Sequence, residues 1–270
     1  MKRLLGACAA AVLAWHGVSK AAAQDSPTNE PSVRMLQKVI PTVVCITTEA
    51  IRQNRKNAPD GLLEDFFGAP GGGRRSVGTG SGFFVSADGY VVTNEHVTEG
   101  ATKGGITVTT QDGKTYAARL ISDNKERDLA LLKIEAKEPF PFIRLDDLSP
   151  NLLGQTVFAI GNPQGLGMAV SRGILSARAR TLRLDGEEFP DLLQTDAAIN
   201  SGNSGGPIVD LAGKLVGVSC MVYFGDERRQ AVGLNFGVAG NVARAKIEEF
   251  MRKTGDTGKG AKTGGVVPGF

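Results

Sequence analysis

The sequence predicts an all-β protein closed by one C-terminal helix, and three observations carry that expectation. Short apolar runs recur along most of the chain, too short for helices and separated by turn signals such as Asp88-Gly89 and Ala212-Gly213. Thirty-six glycines punctuate them. Apart from apolar pairs at i and i+4 in Leu62 to Phe67, helical spacing appears in one late stretch, Asn241 to Thr254. At 270 residues the chain is long enough for two small β-barrels with a real core, built as one unit.

The elements follow in order. Met1-Lys2-Arg3, the apolar run Leu4 to Val18 and Ala21-Ala22-Ala23 form the charged, apolar and small-residue regions of a signal peptide over residues 1–23. Cleavage is expected after Ala23, with a destination in the periplasm or otherwise outside the cytoplasm. Reading Leu5-Gly6-Ala7-Cys8 as a lipidation box leaves too few apolar residues ahead of the cysteine. Residues 24–32, rich in Pro, Ser and Asn, read as a flexible lead-in, and Val39 to Thr48 as the first strand. The insertion at 51–76 is polar at Arg52 to Asn57, apolar at Leu62, Leu63, Phe66 and Phe67, and tethered by Gly71-Gly72-Gly73. Such a loop reads as a gate or an oligomer contact.

Phe83-Phe84-Val85 and Tyr90-Val91-Val92 flank Asp88-Gly89, and Ile106-Thr107-Val108 faces Tyr116-Ala117-Ala118; both are hairpin signals. A second barrel starts near Gly154 to Ile160 and continues through Ile174 to Ala177. Pro207-Ile208-Val209 and Lys214 to Val218 form a further hairpin. In the closing helix Asn241 is the N-cap, Ile247, Phe250 and Met251 share a face, and Gly255 stops it. Residues 255–270 read as a flexible Gly- and Lys-rich tail.

Composition excludes several classes. The formal charge of +3 rests on Lys2, Arg3 and Lys20 of the leader, so the mature chain is neutral and makes no electrostatic case for nucleic acid. No later stretch reaches the roughly twenty apolar residues of a spanning helix. One mature histidine and two distant cysteines make no metal cluster, and no cofactor is called for. Glycines 78, 80 and 82 precede a strand and lack the dinucleotide spacing.

The chemistry lies in Asp196 to Pro207, where Ser204 is wrapped in glycines. A serine hydroxyl needs a neighbouring base and a group that orients the base. With His16 in the leader, His96 is the only histidine left in the mature chain. Gly202 to Gly206 also fits an α/β-hydrolase elbow, but that fold needs a histidine after the serine and none follows. The available order is His96, Asp128, Ser204, the chymotrypsin-type order. Asp128 opens an apolar run, Leu129 to Ile134, that reads as a buried strand; Asp123, Asp146 and Asp196 are its rivals. Glycines at 202, 205 and 206 let the backbone turn sharply and a substrate carbonyl approach.

Four segments together carry a family resemblance: Val77 to Phe83, Gly89 to Val97, Asp128 to Ile134, and Thr195 to Gly206. Over 33–254 the chain resembles the protease domain of the HtrA (Deg) serine endopeptidases, a bacterial branch of the trypsin-like clan. The resemblance implies a chymotrypsin/trypsin-like double six-stranded β-barrel, a His96-Asp128-Ser204 triad working through an acyl-enzyme, and an oxyanion hole at Gly202, Asn203 and Ser204. It implies a substrate pocket from Ala198, Ile199, Leu234, Asn235 and Phe236; no acid among them would greet Arg or Lys, so small and medium aliphatic side chains are expected. Asn235 stands where many relatives have glycine. Trypsin-like digestive enzymes carry an aspartate before the nucleophile that pairs with a new N-terminus. Asn203 needs no such partner, so control is expected from loops around Asn200 to Gly202 and Met221 to Val232. Cys45 and Cys220 fall in different barrels on this layout and are expected as buried thiols.

The resemblance further implies an ATP-independent endopeptidase acting on unfolded or damaged proteins, with trimers usual among relatives. The best-known members carry PDZ domains after the protease, and the tail here is too short for one. Two rival readings are a catalytically silent member serving as chaperone or scaffold, and a dedicated processing protease with one substrate. The silent reading requires a lost triad residue, and all three are present.

Overall fold

A computed structural model describes residues 27–51, 75–162, 167–184, 187–200, 202–222 and 233–253. The signal peptide, most of the insertion, most of the Met221 to Val232 segment and the tail lie outside the described residues.

Six antiparallel strands close the first barrel: β1 (Val43–Ile51), β2 (Arg75–Phe84), β3 (Tyr90–Thr93), β4 (Ala101–Thr109), β5 (Thr115–Asn124) and β6 (Leu129–Ile134), in the order β1-β2-β3-β6-β5-β4. Both hairpins expected here form, with Phe83 opposite Val92 and Val108 opposite Tyr116. All six residues of β6 are buried, because its two faces meet two cores: Leu132 and Ile134 point into the barrel, while Leu129 and Leu131 pack in the cluster shared with the second barrel and the C-terminal helix. Val44, Ile46, Phe84, Val91, Leu132 and Ile134 fill this barrel.

The second barrel repeats the plan with β7 (Thr156–Gly161), β8 (Ala169–Leu184), β9 (Glu187–Thr195), β10 (Pro207–Asp210), β11 (Leu215–Val222) and β12 (Asn235–Ala239), ordered β10-β11-β12-β9-β8-β7. Its core holds Val157, Leu175, Leu193, Ile199, Ile208 and Val216. Closure of both sheets leaves neither barrel with an open edge strand. Cys45 on β1 and Cys220 on β11 are buried and carry no disulfide.

Three α-helices accompany the barrels among the described residues. The C-terminal one, α3 (Gly240–Lys253), buries Ile247 and Phe250 of the expected face together with Ala243, leaves Met251 half-buried, and begins at Gly240, so Asn241 lies inside the helix and not at its cap. The single turn α2 (Glu95–Thr98) carries His96. The third, α1 (Pro31–Val39), corrects the sequence expectation: residues read as the end of the lead-in and the start of the first strand form a helix, and β1 begins only at Val43. Proline at the first helical position is favourable there, since its missing N–H is one of the unpaired donors of a helix start. Met35 and Val39, four residues apart, are buried and pack toward Gly213, where a Cβ would sit 3.2 Å from Val39 Cγ2. Among the described residues no helix is long and apolar enough to cross a membrane.

Candidate active site

The segment Thr93-Asn94-Glu95-His96 is tied to the first barrel at every position that matters. Thr93 Oγ1 donates to the Ser81 carbonyl (2.7 Å), and the Asn94 amide donates to the Asp128 carbonyl (2.8 Å). Asn94 is fully buried at the N-cap position, so the short helix carrying His96 starts from a fixed point.

Asp128 is placed by a local device. The Asn124 side chain accepts from the Arg127 N–H (3.0 Å), closing a 3₁₀ turn over Lys125–Arg127. Asp128 leaves that turn in the left-handed region (φ 49°, ψ 51°). Aspartate tolerates this region better than most residues because its short side chain hydrogen-bonds locally. The reversal turns the carboxylate back onto α2, where the His96 N–H donates to Oδ1 (3.1 Å) and His96 Nδ1 lies 2.8 Å from both carboxylate oxygens. The two side chains are each 9% exposed. Of the three rivals, Asp146 pairs with Arg144 and Asp196 accepts the Ile174 N–H, while Asp123, on β5, adds to the negative charge beside Glu95. Arg127, next to Asp128, reaches the second barrel and donates to Asp191 (2.7 Å) and the Pro190 carbonyl (3.0 Å).

Burial opposes a charge on His96. The Asp128 carboxylate, by its charge and its hydrogen bond, and then Glu95 and Glu99 outweigh that penalty and hold the imidazole above its ordinary value. Glu95, half-buried beside it, is pushed up to about 7 by burial and then by Glu99, Asp128 and Asp123. The site therefore gathers negative charge around one imidazole, which favours an imidazolium whenever a proton is delivered there.

Ser204 is 1% exposed, and its Oγ has no hydrogen-bond partner among the described residues. The turn carrying it requires glycine. Gly205 has φ +84°, and a Cβ there would lie 2.2 Å from the Ser81 carbonyl oxygen; at Gly206 it would lie 2.1 Å from that of Ile160. Ser204 is thus pressed between β2 and the end of β7, with its own carbonyl accepting the Ser81 N–H (2.8 Å).

The Asn203 N–H donates to the Asn200 carbonyl (2.8 Å), so Asn203 bends the loop and presents no N–H to a ligand. Among the described residues no carbonyl accepts the N–H of Gly202 or of Ser204. Of the expected pocket residues, Ala198 is exposed and Leu234 half-buried; Ile199, Asn235 and Phe236 are buried, with Ile199 and Phe236 packed in the core. Sequence reasoning did not single out Ser81, Thr93 and Asn94 as supporting groups, although all three stand inside motifs it quoted.

Comparison with known proteins agrees with this architecture. A family model described as trypsin-like peptidase domain matches residues 80–218. The chain is 35% identical over 232 residues to a probable periplasmic serine protease do/HhoA-like of Haemophilus influenzae, covering 80% of this chain and 49% of that protein. It is 40% identical over 179 residues to a probable periplasmic serine endoprotease DegP-like of Bartonella henselae, covering 66% of this chain and 34% of the relative. The chain thus spans about half or less of these relatives. Among solved structures, the HtrA-type protease AlgW with a tripeptide matches with a TM-score of 0.62 and 31% identity, over 82% of this chain and 63% of that one. The serine endoprotease from Yersinia pestis matches with a TM-score of 0.61 and 30% identity, over 82% of this chain and 66% of its own. With the family model spanning more than half of its residues, the chain belongs to the trypsin-like peptidases, in their HtrA/Deg branch.

Proposed function

We propose that the chain is an exported serine endopeptidase that hydrolyses peptide bonds of unfolded or damaged proteins outside the cytoplasm. The observation that carries this reading is the Asp128 carboxylate set 2.8 Å from His96 Nδ1, with Ser204 on a glycine turn between the barrels. A carboxylate on Nδ1 keeps the proton there and leaves Nε2 as the basic nitrogen. Nε2 takes the Ser204 proton as Oγ attacks the scissile carbonyl. The carbonyl π pair moves onto oxygen, and the oxyanion is met by the N–H groups of Gly202 and Ser204. The imidazolium then protonates the leaving amine as the C–N bond breaks, leaving an acyl-enzyme. Water repeats the sequence with His96 as base, releasing the acid and restoring Ser204. In the structure the Ser204 to His96 hydrogen bond is unmade; catalytic hydrogen bonds often tighten only when substrate binds. The relatives' periplasmic names support the extracytoplasmic placement. A fluorophosphonate should label the purified mature protein on Ser204 alone, and labelling elsewhere, or none in a casein-degrading sample, would overturn the assignment.

The electrostatics give a pH prediction with opposite trends. Activity needs neutral His96, whose folded-state pKa lies above the ordinary value, so the acid limb of kcat/KM should fall above about pH 6.5. Stability goes the other way. A group whose pKa is raised by folding stabilises the fold in its protonated form, fully below its unfolded pKa, and loses that contribution as pH rises through the folded value. His96 and Glu95 are both raised, Glu95 from 4.5 to about 7. Asp112 and Glu249, held near 2 chiefly by hydrogen bonds from Lys114 and from Lys246 and Lys253, have delivered their contributions by about pH 5 and leave the trend visible. Between about pH 5 and pH 8 the thermal midpoint should fall while activity rises. A midpoint that climbs across this window would refute the assignment of the shifts.

Ala198, Ile199, Leu234, Asn235 and Phe236 offer no carboxylate to the substrate side chain. A peptide library should therefore show cleavage after Val, Ala, Ile or Leu in preference to Arg or Lys. Dominant cleavage after basic residues would place the pocket elsewhere.

A further inference from the structure

Two buried hydroxyls outside the triad hold the backbone that carries Ser204. Ser81, on β2 of the first barrel, is fully buried; its Oγ donates to the Gly202 carbonyl (2.5 Å) and accepts the Asn162 N–H (2.8 Å) just past β7. Ser219, on β11 of the second barrel, is also fully buried; its Oγ donates to the Asn203 carbonyl, which takes the Gly206 N–H as well (2.8 Å). The Gly206 carbonyl lies 3.1 Å from Ser219 Oγ and is already met by the Ser219 N–H at 2.9 Å.

These contacts fix two consecutive peptide planes. The Gly202–Asn203 plane is pinned at both ends, its carbonyl by Ser81 and its N–H by the Asn200 carbonyl. The Asn203–Ser204 plane is held by its carbonyl alone. No described peptide bond is cis, and in a trans peptide the N–H points opposite to the carbonyl. Holding the Asn203 carbonyl toward Ser219 and Gly206 therefore aims the Ser204 N–H away from them, where no described carbonyl takes it.

We propose that Ser81 and Ser219 are positioning residues for the oxyanion hole, one supplied by each barrel, and that together they fix the direction of the Ser204 N–H before substrate arrives. The inference rests on the serine-protease reading above. Neither hydroxyl meets the substrate; each acts through a peptide carbonyl.

The test uses the mature chain with Ser81→Ala, Ser219→Ala and, in parallel, Ser204→Ala. Kinetics are measured on a short peptide that the wild type cleaves, and the affinity for a peptide boronate, which forms a tetrahedral adduct on a serine, is measured beside them. Each hydroxyl deletion should lower kcat about ten- to a hundredfold, the scale of a misplaced donor, with KM within about threefold. Boronate affinity should fall by the same factor as kcat/KM, a correlation that a merely structural hydroxyl would not produce. Should an alanine variant unfold, Ser81→Cys and Ser219→Cys, which keep the volume with a weaker donor, are measured instead with the same outcomes expected. Wild-type kcat in the folded hydroxyl variants, or a loss confined to KM, would overturn the clamp if Ser204→Ala is inactive. Activity retained by Ser204→Ala would instead overturn the triad itself.

Discussion

Replacing Ser204 by Ala is expected to remove casein hydrolysis while leaving the thermal midpoint almost unchanged. The side chain loses one oxygen that has no hydrogen-bond partner among the described residues, so no bond is broken in the folded state and a buried polar atom is relieved of its desolvation cost. The chemical consequence is of a different order. Without Oγ no acyl-enzyme forms, and loss of a triad nucleophile costs roughly 10⁴ to 10⁶ in kcat. Residual hydrolysis comes only from the oxyanion donors acting on water. Casein degradation followed by gel and the melting curve of the same sample check both halves; activity within tenfold of wild type would end the assignment of Ser204.

Asp128→Asn is the second large effect and separates charge from shape. Asparagine is as tolerant of the left-handed backbone at this position as aspartate, and the main-chain carbonyl that receives the Asn94 amide is retained. The corner should therefore keep its form. What changes is the proton on the imidazole: an amide in place of the carboxylate can donate to Nδ1, which moves the proton to Nε2 and removes the base from Ser204. A fall in kcat of about 10⁴ is expected, with KM little altered. Loss of the Asp128 charge also removes the main influence raising the His96 pKa, so the acid limb of the residual activity should move to lower pH. Comparison with Asp128→Ala, which adds the left-handed backbone cost of about 1 kcal/mol, should show a further loss of stability absent from the Asn variant. An unchanged pH profile in Asp128→Asn would show that the carboxylate does not set the His96 pKa.

Local pattern was enough wherever a feature depends on residues close in sequence. The hairpin around Asp88-Gly89 forms as expected because turn chemistry and alternation act within a few residues. The C-terminal helix follows from a spacing that buries Ala243, Ile247 and Phe250 on one face. Where propensity and tertiary packing disagree, packing prevailed. Pro31 reads as a loop residue, yet α1 forms because Met35 and Val39 find the turn at Gly213, contributed by a segment far along the chain. The long β8–β9 hairpin was visible only as Ile174 to Ala177. Arginines, Pro190 and the left-handed residues Ala179 and Asp191 interrupt its pattern, and the two strands stay paired through repeated register shifts that no single-strand signal encodes.

The sequence by itself narrowed the chemistry open to this protein: two histidines in the whole chain, His16 in the apolar stretch read as a leader and His96, then a serine at 204 among glycines, in an order that fits a His-Asp-Ser arrangement. It could do so because few residue types perform that chemistry and their scarcity is countable. Only the tertiary structure decided that the Asn203 N–H turns inward while those of Gly202 and Ser204 find no described carbonyl, and that Ser81, 121 positions before Gly202, holds the loop's carbonyl. Those choices depend on the direction of individual N–H and C=O groups, which closure of the two barrels brings together and which spacing along a single chain does not encode.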